Sequence, residues 1–454
     1  MKKRVVVTGL GVVSAIGQRT EEFWSNCLLG KSKVTKIPDH WFRYADFNST
    51  WWSPLPDIDY SEYGITRLEK KQLDKSGLMA LASAFQALDS AGLVYTKNGG
   101  KRNTYSIQSI DNKRAGVFMG TGVGGISSFA SCFSHQILSR QKESLEKLIP
   151  SIERGENVER LKEVLNGMVF PRRFNPFGVA MTMPNACSGN IGIRFNLTGN
   201  NNTFCSACAA GTVAIGHGFK AVRAGEIDLA LVGGVEYVYD EYGALFLGFD
   251  AVRTLANGHA DPDKVNRPFD RDRSGFLFSE GGGAVLIIEE WEHARKRGAP
   301  ILAEIVGYAE NCDAYNIMMM ENSGHKIMRM IEQALADSGL SAKDVDYVNT
   351  HGTGTQLNDE IESRVIEEVF GKGVLLNSTK SLIGHTLGAS GAIEAVVTIL
   401  SIYQKTTHVC RNLDDPIRDL NFVTGVDSYP IDVAISQSFG FGGHNAALVF
   451  REYR

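Results

Sequence analysis

The sequence predicts an α/β protein of packed layers, and three observations carry that prediction. Short β-branched runs recur along the chain and end in or beside glycine. Segments with apolar residues at three-to-four spacing fall between them. The 454 residues, 43% hydrophobic and 22% charged, are enough for two core-forming units of ordinary globular composition.

Taken in order, the strand-like runs are 4–8, 115–119, 229–232, 284–288, 345–348 and 446–450. Each is too short for a helix and too apolar for an exposed strand, so each is expected to be buried. Helical patterns cover 68–92, 210–224, 324–339 and 361–370, with Gly92, Gly225 and Gly371 as stops. Residues 36–63 are rich in Trp, Tyr, Pro and Asp without periodicity and read as a long surface connection. Residues 136–165 are highly charged yet space Leu145, Leu148, Ile149, Ile152, Leu161 and Val164 as an amphipathic helical excursion. A charged helix at 289–297 lies between two strand patterns and sets a boundary near Gly298, dividing the chain into 1–298 and 299–454. No repeat of fixed period is visible.

Bulk properties narrow the function. A net charge of −4 and a pI near 6.2 give no bulk electrostatic reason to bind nucleic acid or an anionic membrane. Seven irregularly spaced cysteines do not form a disulfide framework, and a reducing cytoplasm is the expected compartment. Lys2, Lys3 and Arg4 before Val5-Val6-Val7 imitate a signal peptide, but Thr8, Gly9 and Gly11 break the apolar run early. A buried strand followed by a glycine turn fits better. No run approaches 18 uninterrupted apolar residues, so no membrane span is expected.

Four segments carry candidate chemistry. In the first, residues 202–216, a strand-like stretch reaches Cys208 and a run of Ala and Gly then opens a helix. A thiol there feels the positive helix end, which is expected to lower its pKa, and small residues let amides approach a carbonyl. Cys205 and Cys208 are also formally a Cys-x-x-Cys, redox-active or half a metal site, although no second pair exists to complete a zinc site. This segment alone leaves both readings open. The second is His351-Gly-Thr-Gly-Thr, after a strand. The third runs from Ser378 through Lys380 to His385, then Gly388, Ala389, Gly391 and Glu394. Two histidines at strand ends beside glycine and small polar residues are well placed to act on a ligand, and neither turn has P-loop spacing. The fourth, residues 438–445, is SFGFGGHN, whose glycines suggest a mobile loop approaching a ligand.

Together these segments, with the opening VVVTGLGVVSAIG, the stretch MPNACSGNIGIRFNL and the segment RPFDRDRSGFLFSEGGGAVLIIEE, resemble the β-ketoacyl-acyl-carrier-protein synthases. These are the elongating type II condensing enzymes of the thiolase superfamily, and the resemblance runs essentially end to end. It implies a duplicated thiolase fold, five layers α-β-α-β-α. Residues 1–298 would form a half carrying the nucleophile, with insertions near 36–63 and 136–165, and residues 299–454 a half carrying both histidines and the gate loop. It implies a decarboxylative Claisen condensation, in fatty-acid or polyketide-type elongation, between a malonyl-carrier thioester and an acyl group on Cys208. His351 and His385 would stabilise the enolate beside Lys380, with Thr353, Thr355, Asp359, Glu362 and Glu394 in support. Phe441 would be the gate, flanked by Phe439, Gly442 and Gly443, its amide forming the oxyanion hole with that of Cys208. Val123, within GTGVGG (120–125), and Phe249 match positions lining the acyl pocket. Arg67, Lys70 and Lys71 on one helix, with Arg253, resemble a docking site for an acidic acyl carrier protein. No cofactor or metal is implied. The assembly expected is a homodimer or a heterodimer with a chain-length-factor-like subunit.

The chain also departs from the family. Residues 316–320 carry three methionines in place of a short Thr/Pro turn, Gly354 stands where Ser is common, and 36–63 and 136–165 are long. These differences bear on the substrate rather than the chemistry and point to polyketide, polyene or secondary-lipid synthesis. A thiolase would need a second cysteine near the C-terminus, and Cys410 is too early. An inactive partner subunit would lack the nucleophile, whereas Cys208, His351, Lys380 and His385 are all present.

Overall fold

The computed structural model describes residues 2–100, 102–151, 156–168 and 170–454. Its main sheet takes five strands from each part of the chain. The first five are β1 (Val5–Val13), β2 (Ala115–Gly120), β3 (Asn201–Phe204), β4 (Leu229–Tyr237) and β5 (Gly281–Glu290). The second five are β6 (Ala303–Cys312), β7 (Tyr347–Asn349), β8 (Leu375–Asn377), β9 (Val433–Gly440) and β10 (His444–Arg451). Their order across the sheet is β8-β7-β9-β10-β6-β1-β5-β4-β2-β3. Each set therefore runs third, second, fourth, fifth, first. In each, the second strand pairs parallel with its two neighbours and the other pairings are antiparallel. The sets meet along β1 and β6, where Val5–Val7 lie antiparallel to Ala303–Ile305. This is a duplication written in topology.

The labelled helices are α1 (Lys75–Ser90), α2 (Ile126–Leu148), α3 (Glu156–Gly167), α4 (Ala186–Phe195), α5 (Ala210–Ala224), α6 (His325–Ser338), α7 (Gln356–Phe370) and α8 (Ser390–Gln404). Helices α5 and α8 pack against each other and against strands of both sets, making the middle layer. Helices α1 and α4 cover one outer face, and α6 with α7 the other. The expected five layers are present. The segment Leu387–Gln404 is long and apolar enough to cross a membrane by composition, but 89% of it is buried as this middle-layer helix.

Several expectations need correction. Most strands exceed the predicted runs, as β1 and β4 do by continuing through glycines, whereas the run at 345–348 yields only the three residues Tyr347–Asn349. Gly9 and Gly11 are not a turn but part of β1, where a Cβ would lie 2.1 Å from the Ala87 carbonyl oxygen and 1.9 Å from that of Ser83, so only glycine lets α1 lie this close. The pattern at 68–92 is not one helix. Glu69–Lys71 form a 3₁₀ turn, and Asp74 restarts the chain by capping α1 at the Ser76 N–H. Arg67, Lys70 and Lys71 thus lie on a turn and its approach. Helix α7 begins at Gln356 rather than near 361 because Asn358, Asp359 and Glu362 turn inward, which apolar spacing cannot reveal. Residues 36–63 are not simply superficial, since Trp41 (1% exposed) and Trp52 (6%) pack with Phe246, Phe278 and Cys208. The excursion at 136–165 is helical as α2 and α3, but its buried positions include Val158 and Leu165, while Leu148 and Val164 are exposed. Ile152 lies outside the described residues.

Candidate active site

The chain leaves β3 through a 3₁₀ turn, Ala207–Ala209, in which Ala207 takes a positive φ of 47°, and α5 then begins at Ala210. Cys208, in that turn, is buried, with its Sγ 3.0 Å from Nε2 of His385. The tip of β9 closes on it from the other half. A Cβ on Gly440 would lie 2.7 Å from the Ser206 carbonyl oxygen and 3.2 Å from the Cys208 nitrogen, so glycine is what admits this approach. The Phe441 and Cys208 amides both reach the sulfur. The expected low thiol pKa is not found. Burial pushes Cys208 up to about 12, Lys380 opposes this, and Glu236 adds to it. Desolvation outweighs the helix end, so the resting group is a thiol.

His351 follows β7, and its backbone N–H donates to Glu362 at 2.7 Å. Lys380 donates to the His351 carbonyl at 2.7 Å, to its Nδ1 at 3.2 Å, and to Glu394. An ammonium has only protons to give, so Nδ1 of His351 accepts and the ring proton is assigned to Nε2. His385 is pinned by its N–H to the Leu277 carbonyl at 2.8 Å. The Leu387 amide donates to its Nδ1 at 3.3 Å, with Ser390 Oγ 3.0 Å from the same atom, so this ring also carries its proton on Nε2. Burial first, and then the charge of Lys380, hold both imidazoles well below the usual histidine range. They are neutral donors 5.5 Å apart, centroid to centroid.

Carboxylates hold this network. Glu362 also accepts from Gly352 N–H and Gln437 Nε2, each at 2.7 Å, and burial raises it to about 7. Asp359, raised by burial, accepts from Phe269 N–H at 2.7 Å and from the amides of Thr353 and Gly354. Gly354, with φ at +84°, would place a Cβ 2.8 Å from the Gly275 carbonyl oxygen. The hydroxyls of Thr353 and Thr355 lie 2.9 Å apart at the cavity wall.

Cys208, His351 and His385 line one cavity of about 370 Å³. Phe249, Phe439, Phe441 and Gly443 line it as well, with the Phe249 and Phe441 rings 6.3 Å apart. Gly442 lies just behind, its N–H donating to the Ile317 carbonyl at 2.7 Å. This ties the glycine loop to the methionine run, and Met318, Met319 and Met320 form part of the wall. Asn316 Oδ1 turns that run by accepting the amides of Met318 and Met319. Sequence reading marked the methionines only as a departure. Val123 does not line the cavity: it is 40% exposed, and its amide is held by Glu236. No motif marked Glu236. Arg67, Lys70, Lys71 and Arg253 are all exposed. Glu69, between the first three, turns inward to Arg194 and Asn103. Arg253 has φ at +55° and sits between Val252 and Thr254 of the cavity rim. Cys205 is a free, exposed thiol.

A thiol beneath two amides, facing two neutral imidazole donors across an apolar cavity on a duplicated five-strand unit, is the plan of the thiolase-type condensing enzymes. Known proteins narrow the class. The beta-ketoacyl synthase N-terminal domain matches residues 2–293 and the corresponding C-terminal domain residues 302–414. The chain is 36% identical to 3-oxoacyl-[acyl-carrier-protein] synthase 2 of Synechocystis, over 100% of this chain and 99% of that one. It is 34% identical to the chloroplastic synthase I of Arabidopsis thaliana, over 100% and 87%. Among solved structures, a type II polyketide ketosynthase bound to its acyl-carrier protein and a hexaketide superposes with a TM-score of 0.82 at 28% identity, over 100% of both chains. The ishigamide ketosynthase/chain length factor superposes with a TM-score of 0.80 at 28% identity, again over 100% of both. The chain belongs to the β-ketoacyl synthase family.

Proposed function

We propose that the protein is a β-ketoacyl synthase, an acyltransferase that extends a carrier-bound acyl chain by decarboxylative condensation. The observation that carries this reading is the Nε2–H pair of His351 and His385 on the same cavity as Cys208. In the first step the Cys208 sulfur attacks an acyl-carrier thioester. The carbonyl oxygen takes charge between the Cys208 and Phe441 amides, and the carrier thiol leaves with the proton. A malonyl thioester then enters. Its carbon–carboxylate bond breaks, carbon dioxide departs, and the electron pair becomes an enolate whose oxygen accepts from both histidines. The enolate carbon attacks the acyl-Cys208 carbonyl, the bond to sulfur breaks, and a proton from solvent restores the thiol. Burial and the Lys380 charge keep the histidines neutral, while Glu394, Glu362 and Asp359 hold Lys380 and the backbone around His351 in place, with Thr353 and Thr355 beside them. Phe441 gates entry, on a loop whose bends are Gly442 and Gly443 and whose base is Phe439. The half of the chain at 1–298 supplies the nucleophile and the half at 299–454 the decarboxylating pair.

The partner is an acidic acyl carrier protein, docking on Arg67, Lys70, Lys71 and Arg253. The protein works as a dimer in the cytoplasm. β3 is an edge strand, and Val123, Phe129, Phe133 and Val179 are exposed, so a partner subunit paired along β3 that also covered these residues would bury apolar surface. Native mass of the protein, alone and co-expressed with a neighbouring subunit, separates a homodimer from a ketosynthase/chain-length-factor pair.

The test of the activity is reconstitution with acyl- and malonyl-carrier proteins. A β-ketoacyl carrier longer by two carbons, with carbon dioxide released in equal amount, is expected. Acyl transfer without chain extension would overturn the reading.

A further inference from the structure

Glu236 lies at the end of β4 and is fully buried (0% exposed). Its carboxylate is bonded to donors from both halves of the chain. Oε1 accepts from Thr121 Oγ1 at 3.0 Å and from the Val123 amide at 3.3 Å. Oε2 accepts from the Gly122 amide and, at 3.0 Å, from the Gly388 amide. Glycines make room for it: a Cβ on Gly122 or on Gly388 would lie 2.6 Å from Oε2. On one side, the 121–123 loop follows Gly120, where a Cβ would lie 2.3 Å from the Ala210 carbonyl carbon, so this loop packs on the head of the helix behind Cys208. On the other side, Gly388 sits in the turn Leu387–Ala389, and it is the Leu387 amide in that turn that donates to His385 Nδ1.

We propose that Glu236 is a positioning residue of the condensing site: its carboxylate clamps the 121–123 loop to the Leu387–Ala389 turn and so holds His385 with its Nε2 proton aimed at Cys208 and the substrate oxygen. The inference rests on the condensing reading above. A buried carboxylate is unfavourable unless hydrogen bonds replace its water, and here every donor that replaces it belongs to one of the two segments to be joined. Burial raises Glu236 to about 7 while the Gly122 and Val123 amides oppose this, and its field acts on the Cys208 sulfur, so the clamp also stands within electrostatic reach of the nucleophile.

Reach and charge are separable. Glu236→Gln keeps the length: its oxygen can accept from Gly122 and Gly388 and its amide can donate to Thr121, so that of the four bonds only the 3.3 Å one from the Val123 amide is lost. Glu236→Asp keeps the charge but is one methylene short of spanning loop and turn. Each folded variant is examined in three ways. These are acylation of Cys208 by mass spectrometry, carbon dioxide release from malonyl-carrier protein, and ¹⁵N NMR of labelled histidine for the His385 tautomer. The Asp variant is expected to lose roughly 10- to 100-fold in carbon dioxide release, as a misplaced catalytic group does. It should keep acylation within a few-fold and show a mixed His385 tautomer. The Gln variant is expected to match the wild type in all three within a few-fold. Wild-type behaviour of the Asp variant, or equal losses in both variants, would overturn the clamp. Failure of the condensing reading looks different, because then the wild type itself would release no carbon dioxide from malonyl-carrier protein.

Discussion

Cys208 and the two histidines face one cavity, yet opposite surroundings hold them there. Cys208 packs in an apolar cluster with Trp41, Trp52, Phe246, Phe276 and Phe278, and the polar groups at its sulfur are backbone amides and one imidazole. The histidines stand in a buried polar network of one ammonium and three carboxylates that accept backbone amides or the lysine. Under the proposed function the contrast divides the work. The nucleophilic limb does not store reactivity as a resting thiolate, since burial keeps its thiol pKa high. It stores it as fixed amides waiting for an oxyanion, which appears only during reaction. The two imidazoles proposed to decarboxylate are kept neutral by burial first and then by the Lys380 charge, with the proton of each ring assigned to Nε2.

Removing the proposed nucleophile should have the largest effect. Cys208→Ala should reduce chain extension to background, measured as β-ketoacyl carrier formed, while Cys205→Ser should stay within a few-fold of wild type. If the two cysteines behaved alike, the nucleophilic limb would be misassigned. The histidines come next. Losing one oxyanion donor typically costs ~10²–10³ in rate, so His351→Ala and His385→Ala should release carbon dioxide that much more slowly while still accumulating acyl-Cys208. Equal loss of both half-reactions would mean the histidines shape the fold. The thiol gives a sharper test of contrast. Alkylation of Cys208 by iodoacetamide, followed on its tryptic peptide, should rise about tenfold per pH unit without a plateau near neutrality, because thiolate grows with pH up to a raised pKa. A plateau reached by about pH 8, as for a thiol whose pKa is lowered to ~7.5 or below, would restore the pre-ionised nucleophile. The smallest effect concerns docking. Reversing Lys71 and Arg253 to Glu should raise KM for the carrier substrate about tenfold, equivalent to ~1.4 kcal/mol, and leave truncated malonyl thioesters unchanged. Wild-type activity with the carrier should fall with salt, which screens exposed charges beyond about 8–10 Å. Equal loss on both substrates would make the basic residues a solvated surface.

The two limbs were also unequally legible in the sequence. Motifs point to Cys208, His351, Lys380, His385 and Phe441 because their neighbours are glycines and small residues, and the structure brings four of them onto one cavity with Lys380 bonded to His351. The duplication was not visible. Strand order repeats between the two sets of five, but it is set by which runs are buried and how they connect, and different apolar residues satisfy that equally well. Apolar periodicity misplaced the start of α7 because Asp359 and Glu362 point inward as carboxylates serving backbone amides. It also ran a helix through Asp74, whose capping role depends on the turn before it. Glu236 had no local signature at all: its partners are 113 to 152 residues away in sequence. Trp41 and Trp52 read as surface because their segment is aperiodic, although both are buried against the cluster that holds Cys208.

On the proposed mechanism the two limbs act separately on one cavity. Cys208→Gln tests it most directly, because a carboxamide mimics the acylated cysteine and leaves both histidines in place. Carbon dioxide release from malonyl-carrier protein and formation of β-ketoacyl product are measured together on this variant. Release is expected to persist at or above the wild-type rate while no condensation product forms. Loss of both together would show that decarboxylation depends on the Cys208 sulfur itself and would contradict the division of labour between the two limbs.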